Sequence, residues 1–338
     1  MNGRLMWVDA VKGILIILVV IGHIIPPDIN SDIVLKFRLW IYSCHIPGFF
    51  ILNGWLKGNG SFLSLGNLSE VFLKQRRVWL MYILFSSIFF FRYVAQISFG
   101  YNTTYEGLLF LEHTILGVGE GVLWFIPAFL IAEIFFFSYM KNKRLGGGGV
   151  IVIMVCLLLL KPYLNIKNIS AISSVPILLY IVLMRSFVGF IFMIVGYIFY
   201  KYKLFEKKIM FLLSLGTTYA YMNHDVDINN LVFYNEILFV LFAILGCTFI
   251  VNISKVIIKC NSVSKILSMF GKESLFVMLT HTIFFVIQGS LIVVSMCFSQ
   301  QITSLVFTIV LSLVIEYILV LFKKRLFNKY GFLKKYLI

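Results

Sequence analysis

Asp9, Lys12 and His23 stand within Trp7–His23, a stretch otherwise apolar enough to cross a membrane. Ionisable groups are expensive in hydrocarbon, so they face a protein interior or a wet cavity and mark function. At about 100° per residue, Lys12 and His23 differ by only about 20°, and Asp9 lies within about 60° of both. One helix face therefore presents all three, with Lys12 and His23 roughly 16 Å apart along the axis. A second histidine stands in Cys44-His45-Ile-Pro47-Gly-Phe-Phe-Ile-Leu-Asn53-Gly54, at a depth similar to His23. Pro47 lacks an amide donor and frees carbonyls near His45. Further along come Trp124 in Leu123-Trp124-Phe125-Ile-Pro127, then Glu133, Arg185, and His281 at the end of Gly271-Lys-Glu-Ser274…His281. Buried Glu133 and Arg185 each require partners. An interfacial tryptophan is by default a belt anchor, and a lone histidine at a membrane edge is as often structural as functional. Several intramembrane histidines beside Asp, Lys and Arg suit two chemistries. One is a proton relay in coupled transport; the other is group transfer with histidine as general base. Periodicity leaves both open.

The elements that must carry these residues follow from composition. The 338 residues are 61% hydrophobic and only 13% charged, with a mean hydropathy of +0.98. Soluble domains carry nearer a quarter charged residues, so the class is an all-α polytopic integral membrane protein. The net charge of +15 is clustered between apolar runs, as the positive-inside rule requires, and implies no nucleic-acid partner. The five cysteines are scattered without CxxC spacing, which argues against a disulfide framework or a metal site. Residues 1–25 resemble a signal peptide superficially, but Asp9 and Lys12 interrupt the opening and no small-residue cleavage site follows His23, so an uncleaved first span is expected.

About ten transmembrane helices are expected, at roughly 8–25, 39–56, 78–97, 122–140, 146–160, 183–200, 208–222, 233–251, 273–290 and 303–322. They form one membrane-embedded domain over 1–338. The basic residues concentrate on one set of connections, including Arg76 and Arg77, and in the tail; Lys36, Arg38, Lys161 and Lys167 lie on the other. That asymmetry predicts both termini in the cytoplasm. The opposite connections are acidic. The longest, about 98–121, holds Tyr101, Tyr105, His113 and several glycines, and is a candidate acceptor contact as well as an ordinary solvated loop. No repeat of the kind many transporters carry is visible. Gly146–Gly149 is no phosphate loop, because no GK[ST] follows.

The motif order is familiar. Asp9-Ala-Val-Lys12, ten residues, then His23 resembles the (Arg/Lys)-x10-His signature of the acyltransferase-3 membrane O-acyltransferases. The Cys44–Gly54 stretch resembles that family's FH(I/V)P-x-FFxxSG motif, and Leu123-Trp124-Phe125 its lWFl motif. Arg185 with Phe190 to Gly196 resembles an Arg…ffxxG element, and Gly271…Ser274…His281 resembles GxxSlxxYxxH. Within the family the chain is most similar to the fucose 4-O-acetylase-like bacterial group. Two positions depart: lysine stands at 12 for the commoner arginine, a point charge in place of a fork, and Asn53 stands where serine is frequent. The C-terminal SGNH-type hydrolase domain of some members is not seen.

The resemblance implies an acyl-CoA co-substrate, acetyl-CoA foremost, and no bound cofactor or metal. It implies transfer to a hydroxyl of a cell-surface polysaccharide or lipid-linked glycan precursor, by a multi-pass protein of the bacterial cytoplasmic (inner) membrane. Membrane lipids are partners, and self-association stays open. It casts His23 as general base, with His45 and Asp9 as further catalytic residues. Lys12, Arg76, Arg77 and Arg185 would hold the donor; Trp124, Asn53, Ser274 and His281 would bind the acceptor or support the site. The alternative is a proton-coupled transporter or glycan flippase using the histidines as a relay. A structural subunit of a polysaccharide synthesis complex would leave Lys12 and His23 without a role.

Overall fold

Helix α1 (Met6–Ile24) holds every residue of the polar track, and its middle is a continuous apolar run that favours burial on all sides. The computed structural model describes residues 6–58, 66–141, 148–149, 152, 169, 172–224, 226–283, 286–297 and 301–329. The helices are α2 (Asp32–Lys57), α3 (Leu68–Lys74), α4 (Arg76–Ser98), α5 (Thr104–Ile115), α6 (Phe125–Lys141), α7 (Val175–Lys201), α8 (Lys208–Ser214), α9 (Glu236–Ile257), α10 (Asn261–Lys272), α11 (Ser274–Ile283), α12 (Val286–Cys297) and α13 (Gln301–Lys329). Apart from short 3-10 turns, the other regular structure among the described residues is a hairpin of two-residue strands, β1 (Val226–Asp227) and β2 (Val232–Phe233).

Among the described residues six helical stretches are long and apolar enough to cross a membrane: Met6–Ile24, Arg76–Ser98, Gly121–Lys141, Val175–Lys201, Glu236–Ile257 and Gln301–Leu326. Several expected spans take another form. The 39–56 span lies inside α2, which continues through Pro47. The 208–222 span is the short helix α8 followed by a 3-10 segment, Leu215–Met222. The 273–290 span is divided between α11 and α12. The sixth span starts earlier than expected, at Val175, because Pro176 falls in the first turn of α7, where its missing amide costs nothing. The expected 146–160 span lies outside the described residues, save for positions 148, 149 and 152.

The chain divides into two compact units, one of Met1–Leu52, Phe199–Val226 and Phe233–Lys335, the other of Asn53–Ile198 and Asp227–Val232. In the first unit α1 packs against α9, α10, α11 and α13. The closest approach is to α10. A Cβ on Gly13 would lie 2.1 Å from the Leu267 carbonyl oxygen, and one on Gly271 would lie 1.8 Å from that of Asp9. α10 meets this demand with an amphipathic sequence, burying Ser264, Leu267, Phe270 and Gly271 along one face.

In the second unit α4 packs on α5 and α6. The connection expected as a loop at 98–121 contains α5, and its start is a capping box. Thr103 accepts from the Glu106 amide while the Glu106 carboxylate accepts from the Thr103 amide and hydroxyl.

Candidate functional site

In the first unit the end of α1 brings His23 to His281 of α11, with ring centroids 5.1 Å apart and planes tilted by 47°. The two histidines differ in access. His281 is fully buried, while His23 is exposed. His281 Nδ1 lies 3.0 Å from the Val277 carbonyl one turn back on its own helix. A carbonyl only accepts, so Nδ1 carries the proton and Nε2 is the remaining acceptor of the neutral ring. That Nε2 is buried without a hydrogen-bond partner.

His45, 6% exposed, is fixed the same way. Its Nδ1–H donates to the Ile41 carbonyl at 2.6 Å, which leaves Nε2 as its acceptor atom. The Tyr42 ring meets His45 edge-on at 5.3 Å, and the Tyr42 hydroxyl lies 3.5 Å from the Gly22 carbonyl. Arg38 donates to the Ile25 carbonyl at 3.1 Å and stacks its guanidinium 4.3 Å over Tyr42. Arg38, Tyr42 and His45 thus form one stripe on α2, spaced i, i+4, i+7, that grips the end of α1 carrying His23. The spacing itself is legible in the sequence, where Arg38 counted only as a connection charge and Tyr42 was not among the expected site residues.

Below His23 on α1, Lys12 is half-buried and Asp9 is 4% exposed. Ser274 is the first residue of α11 and half-buried. Just before α11 begins, Glu273 pairs with Lys323 of α13, and beside His281 in sequence Thr280 Oγ1 donates to Glu316 Oε2 at 2.8 Å. Glu316 is 0% exposed and its Oε1 has no hydrogen-bond partner among the described residues. Glu316 was not among the expected site residues, although a lone acidic residue inside the last long apolar run is a signal of function.

The second unit holds the remaining candidates in separate places. Asn53 Nδ2 donates to Glu133 Oε1 at 2.6 Å, Lys57 Nζ pairs with the same oxygen at 2.8 Å, and Gln75 Nε2 donates to Oε2. Glu133 is 1% exposed, so this is a buried carboxylate surrounded by donors. Arg76 and Arg77 open α4 and are exposed.

Arg185 is 2% exposed and spends its guanidinium on backbone. Nε and Nη2 donate to the Asn229 carbonyl at 2.8 and 2.6 Å, and Nη1 to the Val118 carbonyl at 2.7 Å. It also stands over the buried Trp124 ring, 5.4 Å from its centroid. The segment it holds leads into Glu120, which pairs with Tyr93, and Tyr93 is roughly 25 Å along α4 from Arg76. Arg185 therefore joins Trp124, not the Arg76–Arg77 end. Sequence spacing brought neither pairing into view, because each depends on how α4, α6 and α7 pack.

An exposed imidazole backed by a buried one is suited to moving a proton at a surface a substrate can reach. No curated protein and no solved structure matches the chain. The chain does match the family described as an acyltransferase domain, over residues 5–321. That range takes in every helix from α1 into α13 and all three histidine-bearing motifs, and the chain belongs to the acyltransferase-3 family.

Proposed function

We propose that this membrane acyltransferase transfers an acyl group, acetyl foremost, from acyl-CoA to a hydroxyl of a cell-surface polysaccharide or its lipid-linked precursor, with His23 as general base. The observation that carries the reading is the His23–His281 pair: an exposed imidazole in contact with a buried one.

In this mechanism the acceptor hydroxyl gives its proton to His23 as its oxygen attacks the thioester carbonyl carbon. The tetrahedral intermediate then collapses, the carbon–sulfur bond breaks, and the imidazolium returns its proton to the departing thiolate as free CoA thiol. His281, with its proton held on Nδ1 by Val277, presents Nε2 as an acceptor that supports the cationic form of a neighbouring ring. His45 has spent its Nδ1–H on Ile41, so its free Nε2 fits the task of orienting an acceptor hydroxyl better than that of donating to an oxyanion.

Lys12 is the donor-side cation of α1, and the exposed Arg76 and Arg77 suit CoA phosphates. Arg185, occupied by two carbonyls and Trp124, serves as a clamp on the segments it holds. Asp9 balances positive charge on α1. Asn53 acts through Glu133, and Ser274 supports the start of the helix that carries His281. The residence is the bacterial inner membrane.

The test is incubation of the purified protein with radiolabelled acetyl-CoA and candidate glycans. Label should appear on sugar with the native protein and fall by at least about 100-fold for His23→Ala and His23→Gln, the usual worth of a general base. Full transfer by normally inserted variants removes His23 from the mechanism. A protein that moves glycan across vesicles without labelling it is a transporter.

A further inference from the structure

The connection between α4 and α6 encloses a cavity of about 440 Å³ that no residue of the proposed reaction uses. Its volume lies in the range of small-molecule sites. The walls combine three aromatic rings, Tyr93, Tyr105 and Phe110, with the carboxylates of Glu106 and Glu120 and the imidazole of His113. Among the described residues no lysine or arginine lines it, and the described cation Arg92 acts on the wall residue Tyr93 through its charge.

The local sequence builds this wall firmly. Tyr93 stacks on Phe110 with centroids 4.8 Å apart and donates its hydroxyl to both Glu120 oxygens, at 2.6 and 2.7 Å. Glu120 is held between Gly119 and Gly121, both with positive φ. A Cβ on Gly119 would lie 2.5 Å from the Trp124 amide nitrogen, so only glycine allows this close approach. Glu106 is fixed by the capping box. The Thr103 amide and hydroxyl both donate to it, which lowers its carboxyl below the ordinary range and keeps it ionised. His113 Nε2 lies 2.7 Å from the Ile172 carbonyl and so carries the proton, leaving Nδ1 as an acceptor.

This chemistry selects a ligand. Two carboxylates, with no cation among the described lining residues, disfavour phosphate and uronate, and so the CoA head and anionic sugars. Carboxylate and imidazole acceptors suit a ligand with several hydroxyl donors. Aromatic walls suit its apolar C–H faces. The cavity also stands at the end of α4 opposite Arg76 and Arg77, with Tyr93 roughly 25 Å away along the helix. Since basic ends face the cytoplasm, this end faces out.

We propose that this cavity binds a neutral, hydroxyl-rich sugar unit of the acceptor glycan. The role as acceptor subsite rests on the acyl-transfer reading; the binding itself does not.

The experiment is saturation-transfer NMR on the full-length protein, in a detergent without a sugar headgroup and without acetyl-CoA. The probe is an equimolar mixture of the methyl glycosides of glucose, galactose, rhamnose, N-acetylglucosamine and glucuronic acid. Saturation should reach at least one neutral glycoside and spare the glucuronide. The signal should fall by about five-fold, the worth of one hydrogen bond, in Glu120→Gln, and comparably in Tyr105→Ala. Tyr105 is 59% exposed, so its truncation leaves the melting temperature unchanged and reads binding alone. No transfer to any neutral glycoside, transfer strongest to the glucuronide, or equal signal in both variants overturns the proposal. Lost sugar binding with intact acetyl transfer would strike the cavity alone; intact binding without acetyl transfer would strike the enzymatic reading alone.

Discussion

Glu133 illustrates what a charge costs inside a membrane helix and how it is accommodated. Its carboxylate is 1% exposed and meets donors from Asn53, Lys57 and Gln75, drawn from two distant stretches of chain. The need for partners was legible from one acidic residue in an apolar run; their identity was not, because it depends on how the end of α2 and the start of α4 meet α6. The same holds for Arg185, whose carbonyl partners leave no trace in residue type. Breaking a buried ion pair costs more than never having it, since the survivor keeps its desolvation penalty. Glu133→Ala should therefore lower stability by about 3–5 kcal/mol, as Lys57 is left buried and unpaired. Adding Lys57→Met to that variant should restore most of the loss. Thermal unfolding of the three proteins in one detergent checks this. Equal melting temperatures for the single and double variants would show that Lys57 and Glu133 are not energetically coupled.

At the scale of elements, the helices that read clearly are those whose apolar runs are long and whose ends are marked. α1, at Met6–Ile24, lies close to the span expected at 8–25, and α5 carries a legible start in Thr103-x-x-Glu106, a capping-box spacing. The segment 208–222 deceived because apolar content alone cannot distinguish a span from a short helix continued by a 3-10 turn. Least visible was the tight approach of α1 and α10, which depends on Gly13 and Gly271 meeting backbone rather than side chains. A methyl at Gly271 would meet the Asp9 carbonyl, so the helices must separate along the track that carries Asp9, Lys12 and His23. Gly271→Ala should cost at least about 1–3 kcal/mol, the scale of overpacking, and should depress acyl transfer with it. Gly289→Ala on α12 is the control, because no described residue lies within 4 Å of a Cβ there. Glycine in a helix interior is about 1 kcal/mol worse than alanine, so that variant should be as stable as the native protein or better. Melting temperatures of both, with transfer rates alongside, decide the matter; an unperturbed Gly271→Ala protein would mean that α1 and α10 tolerate separation.

For the molecule as a whole, the charge pattern makes a claim that the packing alone cannot make: which end of each helix faces the cytoplasm. The basic residues gather at the start of α4, at the end of α6 and around α10, while the α4–α6 connection holding Glu106, Glu112 and Glu120 is acidic. Translocation disfavours lysine and arginine far more than it favours acids, so the first set should be cytoplasmic and the α5 region external. Cys260, exposed just before α10 and flanked by Lys259 and Lys265, is a native reporter for the first prediction. Tyr105, exposed on α5, is a suitable position for a reporter of the second. With the other four cysteines replaced by alanine, a membrane-impermeant maleimide applied to intact cells should spare Cys260 until the membrane is opened. With Cys260 also replaced, Tyr105→Cys should be labelled at once. The opposite pattern would invert the orientation, place Lys12 on the outer side of His23, and turn the cavity beside Tyr93 toward the cytoplasm. The two labelling rates therefore test the topology on which the proposed direction of acyl transfer rests.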